Sequence, residues 1–127
     1  MKLSLRSEFA LLSLIHLSRN KTSSAAETAS TQEIPVEALA EILSVLGQAG
    51  YVNQVEGRIA LSKDADQISV AEIIRLFDGA LAPLEPISSK GYAIAPMDKE
   101  EKLIGLFEHI QQEIVERLEG TSIARLA

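Results

Sequence analysis

Few side chains in this sequence are placed to do chemistry. His109 and Glu113 stand four residues apart, one helical turn, and could supply two ligands of a metal site. No third ligand occupies an obvious place, so the plainer reading is an exposed His–Glu pair on a helix surface. His16 lies in the apolar stretch "FALLSLIHL", where it reads as a histidine at the edge of a core rather than as a ligand. The chain has no cysteine, which removes disulfides, thiolate nucleophiles and thiolate-held zinc or iron–sulfur clusters together. No serine has the strand–turn–helix setting of a nucleophile, and no glycine-rich phosphate loop is present. No enzyme is expected.

The chemistry that remains is recognition. In "IPVEALAEILSVLGQAGYV", residues 34–52, helical spacing turns Val36, Leu39, Ile42, Leu43 and Leu46 inward and leaves Glu37, Ala38 and Glu41 outward. Nothing between Lys21 and Arg58 is basic. The formal charge of −6 is therefore unevenly spread. Residues 1–21 hold Lys2, Arg6, Arg19 and Lys21 against Glu8, whereas residues 22–57 hold Glu27, Glu33, Glu37, Glu41 and Glu56 with no base. A phosphate-binding surface needs clustered lysine and arginine, and only the N-terminal segment offers a cluster. A carboxylate can still read a base, by accepting from the cytosine amino group.

These residues must be positioned by a chain of 127 residues, 46% hydrophobic and 24% charged, which is about one domain's worth of core. The apolar runs are too short to span a membrane, and no signal-peptide cleavage site follows the first of them, so a cytoplasmic protein is expected. Leu5, Phe9, Leu12 and Ile15, widened by Leu11 and Leu14, predict a first helix from about Ser4 to Arg19. "SAAETAS" predicts two turns of a second, with N-caps among Thr22 to Ser24. Pro35 opens a third helix and Gly50 closes it.

"YVNQVEGRIALS" predicts a two-stranded hairpin turning at Glu56-Gly57. Ser69 and Glu72 form a capping box for a fourth helix, with Ile68 and Ile73 as its staple. Residues 80–97, with three prolines, read as an arm whose lone aromatic, Tyr92, plugs a groove. Asp98 and Glu101 cap a long last helix, Lys99 to Glu119. Its Leu103, Leu106, Phe107, Ile110, Ile114 and Leu118 are spaced as a seam between helices. A proline-rich arm before that helix favours a seam shared with a second copy. The tail "TSIARLA" adds one more turn. The expected fold is mainly α: a winged helix-turn-helix domain with a two-stranded wing over residues 1–79, an arm over 80–97, and a dimerisation helix with its tail over 98–127.

The segments "MKLS", "FALLSLIHLS", "IPVEALAEIL", "LGQAGYV", "ISVAEIIRLFDG" and "EGTSIARLA" follow one another along almost the whole chain. In that order they resemble the Rrf family of bacterial winged-helix transcription regulators. The resemblance implies a homodimer joined through the long C-terminal helix, second and third helices in a major groove, and a wing at the minor groove. Residue by residue, it implies base contacts from Gln32, Glu37, Ala38 and Glu41, phosphate contacts from Lys2 and Arg6, and a wing contact from Arg58 with Lys63 at the wing base. Taken singly, each of these also reads as ordinary solvated surface.

Two departures stand out. Many members hold an iron–sulfur cluster on cysteines before the long helix, and the matching "LEPISSKGYAIAPM" has none. The wing "NQVEGRIALSK" keeps one glycine where the family has several, and is shorter. The sequence therefore predicts a homodimeric regulator of double-stranded DNA without a cofactor, answering to a small molecule or a partner protein. The alternative is a dimeric winged-helix interaction module that has lost DNA binding.

Overall fold

The computed structural model describes residues 3–79, 81 and 99–127. Lys2, Asp98 and the expected arm with Tyr92, Leu81 excepted, lie outside the described residues. Helix α1 (Leu5–Asn20) is central. It is packed by α2 (Ala25–Gln32), α3 (Val36–Gln48), α4 (Val70–Asp78), α6 (Ile123–Leu126) and strand β3 (Arg58–Leu61).

That crowding changes which face of α1 is innermost. Ser7, Ala10, Ser13, Leu14 and Leu17 are buried, while Phe9, Leu12 and Ile15 are half-buried and Leu5 is 60% exposed. Ser7, Ala10 and Ser13 share that buried face with Leu14 and Leu17, so the elements packed around α1, not side-chain size, decide which face is innermost. The serine hydroxyls are satisfied: Ser13 Oγ donates to the Phe9 carbonyl at 2.7 Å, and Ser7 Oγ to Asp78 Oδ2 at 2.8 Å. In α3 the inward face is Leu39, Ile42, Leu43 and Leu46. Val36, expected there too, is the first residue of the helix after Pro35 and is 63% exposed.

Asp78 ties the end of α4 to the start of α1, accepting also from the Ser4 N–H at 3.3 Å. Partial burial pushes its carboxyl up, but hydrogen bonds from Ser4 and Ser7, with Arg6 nearby, hold it below the ordinary 3.8. A depressed native value stabilises the fold above the unfolded value and ceases to do so as pH falls through the native one. Asp78→Asn is expected to cost about 1 kcal/mol at pH 7. Parallel urea titrations of both proteins should show that difference shrinking below pH 3.8. A difference independent of pH would contradict the charged bonds.

The wing holds a correction. Strands β2 (Val52–Val55) and β3 turn at Glu56 and Gly57, with φ 52° and 77°, the paired positive values that a two-residue hairpin turn requires. A third strand joins them: β1 (Thr22–Ser23) pairs antiparallel with β3, Thr22 opposite Ala60 and Ser23 opposite Ile59. The sheet order is β1-β3-β2 rather than a lone hairpin. Two polar residues carry no periodicity, so only their partner strand reveals them.

The capping box of α4 is present: the Glu72 N–H donates to Ser69 Oγ, and the Ser69 N–H to the Glu72 carboxylate. The last long helix, α5, spans Glu101–Glu119 and starts after Glu100 with no side-chain cap. It buries no residue. Past Gly120 the tail returns to the body, as the Val70 N–H donates to the Thr121 carbonyl at 2.9 Å and the Ile123 N–H to the Ile68 carbonyl at 2.8 Å. Ile123 in α6 is fully buried in the same core as Leu14 and Leu46.

Candidate nucleic-acid interface

Helices α2 and α3 form the helix-turn-helix. Ser24 caps α2 through a box with Glu27, each side chain accepting from the other's backbone N–H. Glu33 takes the left-handed conformation, φ 56°, and the Ile34 N–H donates to the Ala29 carbonyl at 2.9 Å. Buried Ile34 then pins the turn to the core. The outer face of α3 is Glu37, Ala40, Glu41, Ser44 and Gln48, all exposed. Gln32 is half-exposed at the turn. Ala38, expected outward, is half-buried against the core, and Ala40 takes its place on the open face.

Among the described residues, the bases nominated for the interface, Arg6, Arg58 and Lys63, are each engaged by a carboxylate. Arg6 on α1 meets Glu41 on α3 at 3.3 Å, and its guanidinium lies over the Phe77 ring, 5.3 Å from the centroid. Arg58 at the start of β3 meets Glu27 on α2 at 3.6 Å and donates to Thr22 Oγ1 at 3.1 Å. The Ser23 hydroxyl, the Ser24 N–H and Arg58 hold the Glu27 carboxyl below its ordinary value, so it stays ionised. Lys63 meets Glu72 at 3.6 Å; that carboxylate also accepts from Tyr51 Oη at 2.7 Å. Burial, then Glu72, pushes the Tyr51 phenol up to about 12. Glu72 itself is lowered overall, because bonds from Ser69 and Tyr51, with Lys63, outweigh its partial burial. Arg19 and Lys21 are exposed and unpaired among the described residues.

Behind this surface His16 is buried. Its Nδ1 faces the Asn20 amide nitrogen at 3.3 Å, a donor, so Nε2 is assigned the proton and donates to Ser23 Oγ at 2.9 Å. Ser23 Oγ donates to Glu27 Oε2 at 3.1 Å. The chain of bonds fastens β1 and α2 to α1, which is a structural task. Thr22 and Ser23 are thus the residues that sequence reasoning took only for caps, and nothing in their spacing marks them. His109 Nε2 lies 2.9 Å from Glu113 Oε1 on the open face of α5. Among the described residues no three His, Asp or Glu side chains gather as a metal site. Nor is any described helix long and apolar enough to cross a membrane.

A helix-turn-helix backed by a core helix and flanked by a short antiparallel wing places the chain in the winged-helix class of DNA-binding folds. Residues 3–127 match the Rrf2 family, described as an iron-dependent transcriptional regulator. The chain belongs to the Rrf2 family.

The whole chain aligns with 96% of CymR (YrzC), the global cysteine regulator of B. subtilis, at 25% identity and a TM-score of 0.83. Oxidised CymR of Staphylococcus aureus gives 25% identity over the same shares and a TM-score of 0.78. IscR of T. potens shares the fold at 19% identity and a TM-score of 0.72, over 99% of this chain and 85% of that one. The family description names iron, but the thiolates that hold an iron–sulfur cluster are missing from this sequence, so the residues present do not fit such a cluster.

Proposed function

We propose that this chain is a homodimeric, operator-binding transcription regulator that works without a thiolate-held cluster. The observation that carries the reading is the open outer face of α3, with Arg6 bridged to its Glu41 and Arg58 to Glu27 of α2, in a chain of a transcription-regulator family. Glu37, Glu41 and Gln32 are the base-reading candidates; a carboxylate accepting from a cytosine amino group discriminates by about 1–3 kcal/mol. Arg6 and Arg58, with Lys2 and Lys63, supply phosphate contacts. A dimer doubles that small set.

Dimerisation is supported by α5, whose Leu103, Leu106, Phe107 and Ile110 are exposed in one chain. Ile114 and Leu118, nearer the body, are half-buried. The signal is a small molecule or a partner protein.

With so few bases, non-specific affinity is low and falls steeply with salt. Arg58→Ala should weaken DNA binding about three- to tenfold at low salt. It should also reduce the salt dependence by about two counterions for two wings, in titrations of labelled duplex. Unchanged affinity would remove the wing from the interface. The reading as a whole is tested by selecting duplexes from fragmented genomic DNA of the source organism, at low and at physiological salt. A recovered two-fold-symmetric site supports it. A second reading, a dimeric interaction module, is favoured by the pairing of Arg6, Arg58 and Lys63 with carboxylates. Recovery of nothing at either salt would leave that one.

A further inference from the structure

Two arginines assigned to phosphate are held by carboxylates of the helix-turn-helix itself. Glu41 on α3 reaches Arg6 on α1, and Glu27 on α2 reaches Arg58 on β3, so both bridges join separate elements. Neither is the local pairing that any helix surface makes. Each arginine also has a second partner that fixes its position, Phe77 for Arg6 and Thr22 for Arg58. All four charged side chains remain about half exposed or more, at 49% and 66% in one pair and 48% and 61% in the other. A phosphate can therefore reach either guanidinium, and an exposed ion pair is weak enough to exchange. Glu37, one turn from Glu41, has no such partner among the described residues.

We propose that Glu27 and Glu41 are specificity-determining residues for DNA, occupying Arg58 and Arg6 until operator phosphates displace them. The inference rests on the DNA-binding reading above. On a random duplex each phosphate contact replaces an existing ion pair and leaves a bare carboxylate beside the backbone, so little is gained. On an operator the displaced Glu41 has a second use, as acceptor for a cytosine amino group, which random sequence seldom offers in register. Discrimination then comes from lowered affinity for wrong sites as well as from base contacts.

The test uses the full chain, sonicated random duplex and the duplex recovered by genomic selection. Glu27→Gln keeps the hydrogen-bonding shape of the α2 cap, and Glu41→Gln is exposed, so neither should unfold the protein. Each should raise affinity for random duplex about two- to fivefold per freed arginine, and the double variant, as a dimer, on the order of tenfold or more. Most of the gain should vanish when Glu41→Gln is combined with Arg6→Ala, or Glu27→Gln with Arg58→Ala. Glu41→Gln should also lower the operator-to-random ratio.

An equal gain from Glu37→Gln, or a gain that survives loss of the arginine, would show that net charge alone is at work and overturn the proposal. Operator binding by wild type with no gain on random duplex would sink the ion-pair exchange and leave the regulator reading intact. No binding of either duplex by wild type or double variant would sink both.

Discussion

In the proposed homodimer, Leu106→Glu is expected to separate the protomers and to remove operator binding. Leu106 is 54% exposed in the single chain, and Leu103, Phe107 and Ile110 flank it on the same side of α5. None of the 19 residues of this helix is fully buried, so its own domain leaves much of that apolar row uncovered. In the proposed pairing with its twin, the row becomes the centre of an interface. A glutamate at Leu106 places two like charges, one per protomer, into that desolvated centre. The dimer dissociation constant should rise on the order of a thousandfold, measurable by sedimentation equilibrium. Operator affinity should fall on the order of a hundredfold or more, because the second half-site is no longer tethered to the first. Thermal unfolding of the isolated chain should hardly change. A variant that stays dimeric would move the interface away from α5.

Ile123→Ala carries the largest expected cost in stability, about 2–4 kcal/mol, or roughly 10 °C in Tm. The residue sits in a four-residue helix near the chain end, which looks dispensable, yet its side chain is 0% exposed. Its N–H is held by Ile68 at 2.8 Å, so the cavity left by truncation cannot close by moving the tail away. The comparison is Leu126→Ala in the same turn, where an exposed side chain should cost under about 0.5 kcal/mol. Urea denaturation of the two variants separates them. Equal, small effects would mean that the tail is not part of the core.

Several local signals match the structure, although the expected Glu101 cap of α5 and the inward Val36 do not. Ser69 and Glu72 announced the start of α4, Gly50 the end of α3, and Glu56-Gly57 the wing turn. The order of helices and hairpin, together with the resemblance, led to the family that residues 3–127 match. Long-range partners were not legible. Nothing local says that Thr22 and Ser23 pair with β3, since the partner strand decides it. Nothing local says that Ser7, Ala10 and Ser13 lie on the buried face of α1, because that depends on the elements crowding it. At the interface, the acidic character of α3 was plain from the composition. That Glu41 and Glu27 cross to Arg6 and Arg58 was not, as those partners lie on separate elements. Lys2 and the residues around Tyr92 lie outside the described residues.

The most direct measurement is a titration of the genomically selected duplex with purified protein at physiological salt, against excess random duplex, with the bound stoichiometry read by sedimentation. Two chains per symmetric site, resistant to the competitor, is the result expected of a dimeric regulator. Equal loss to random duplex, or no complex at all, would contradict operator recognition and leave the acidic face of α3 as a surface for protein.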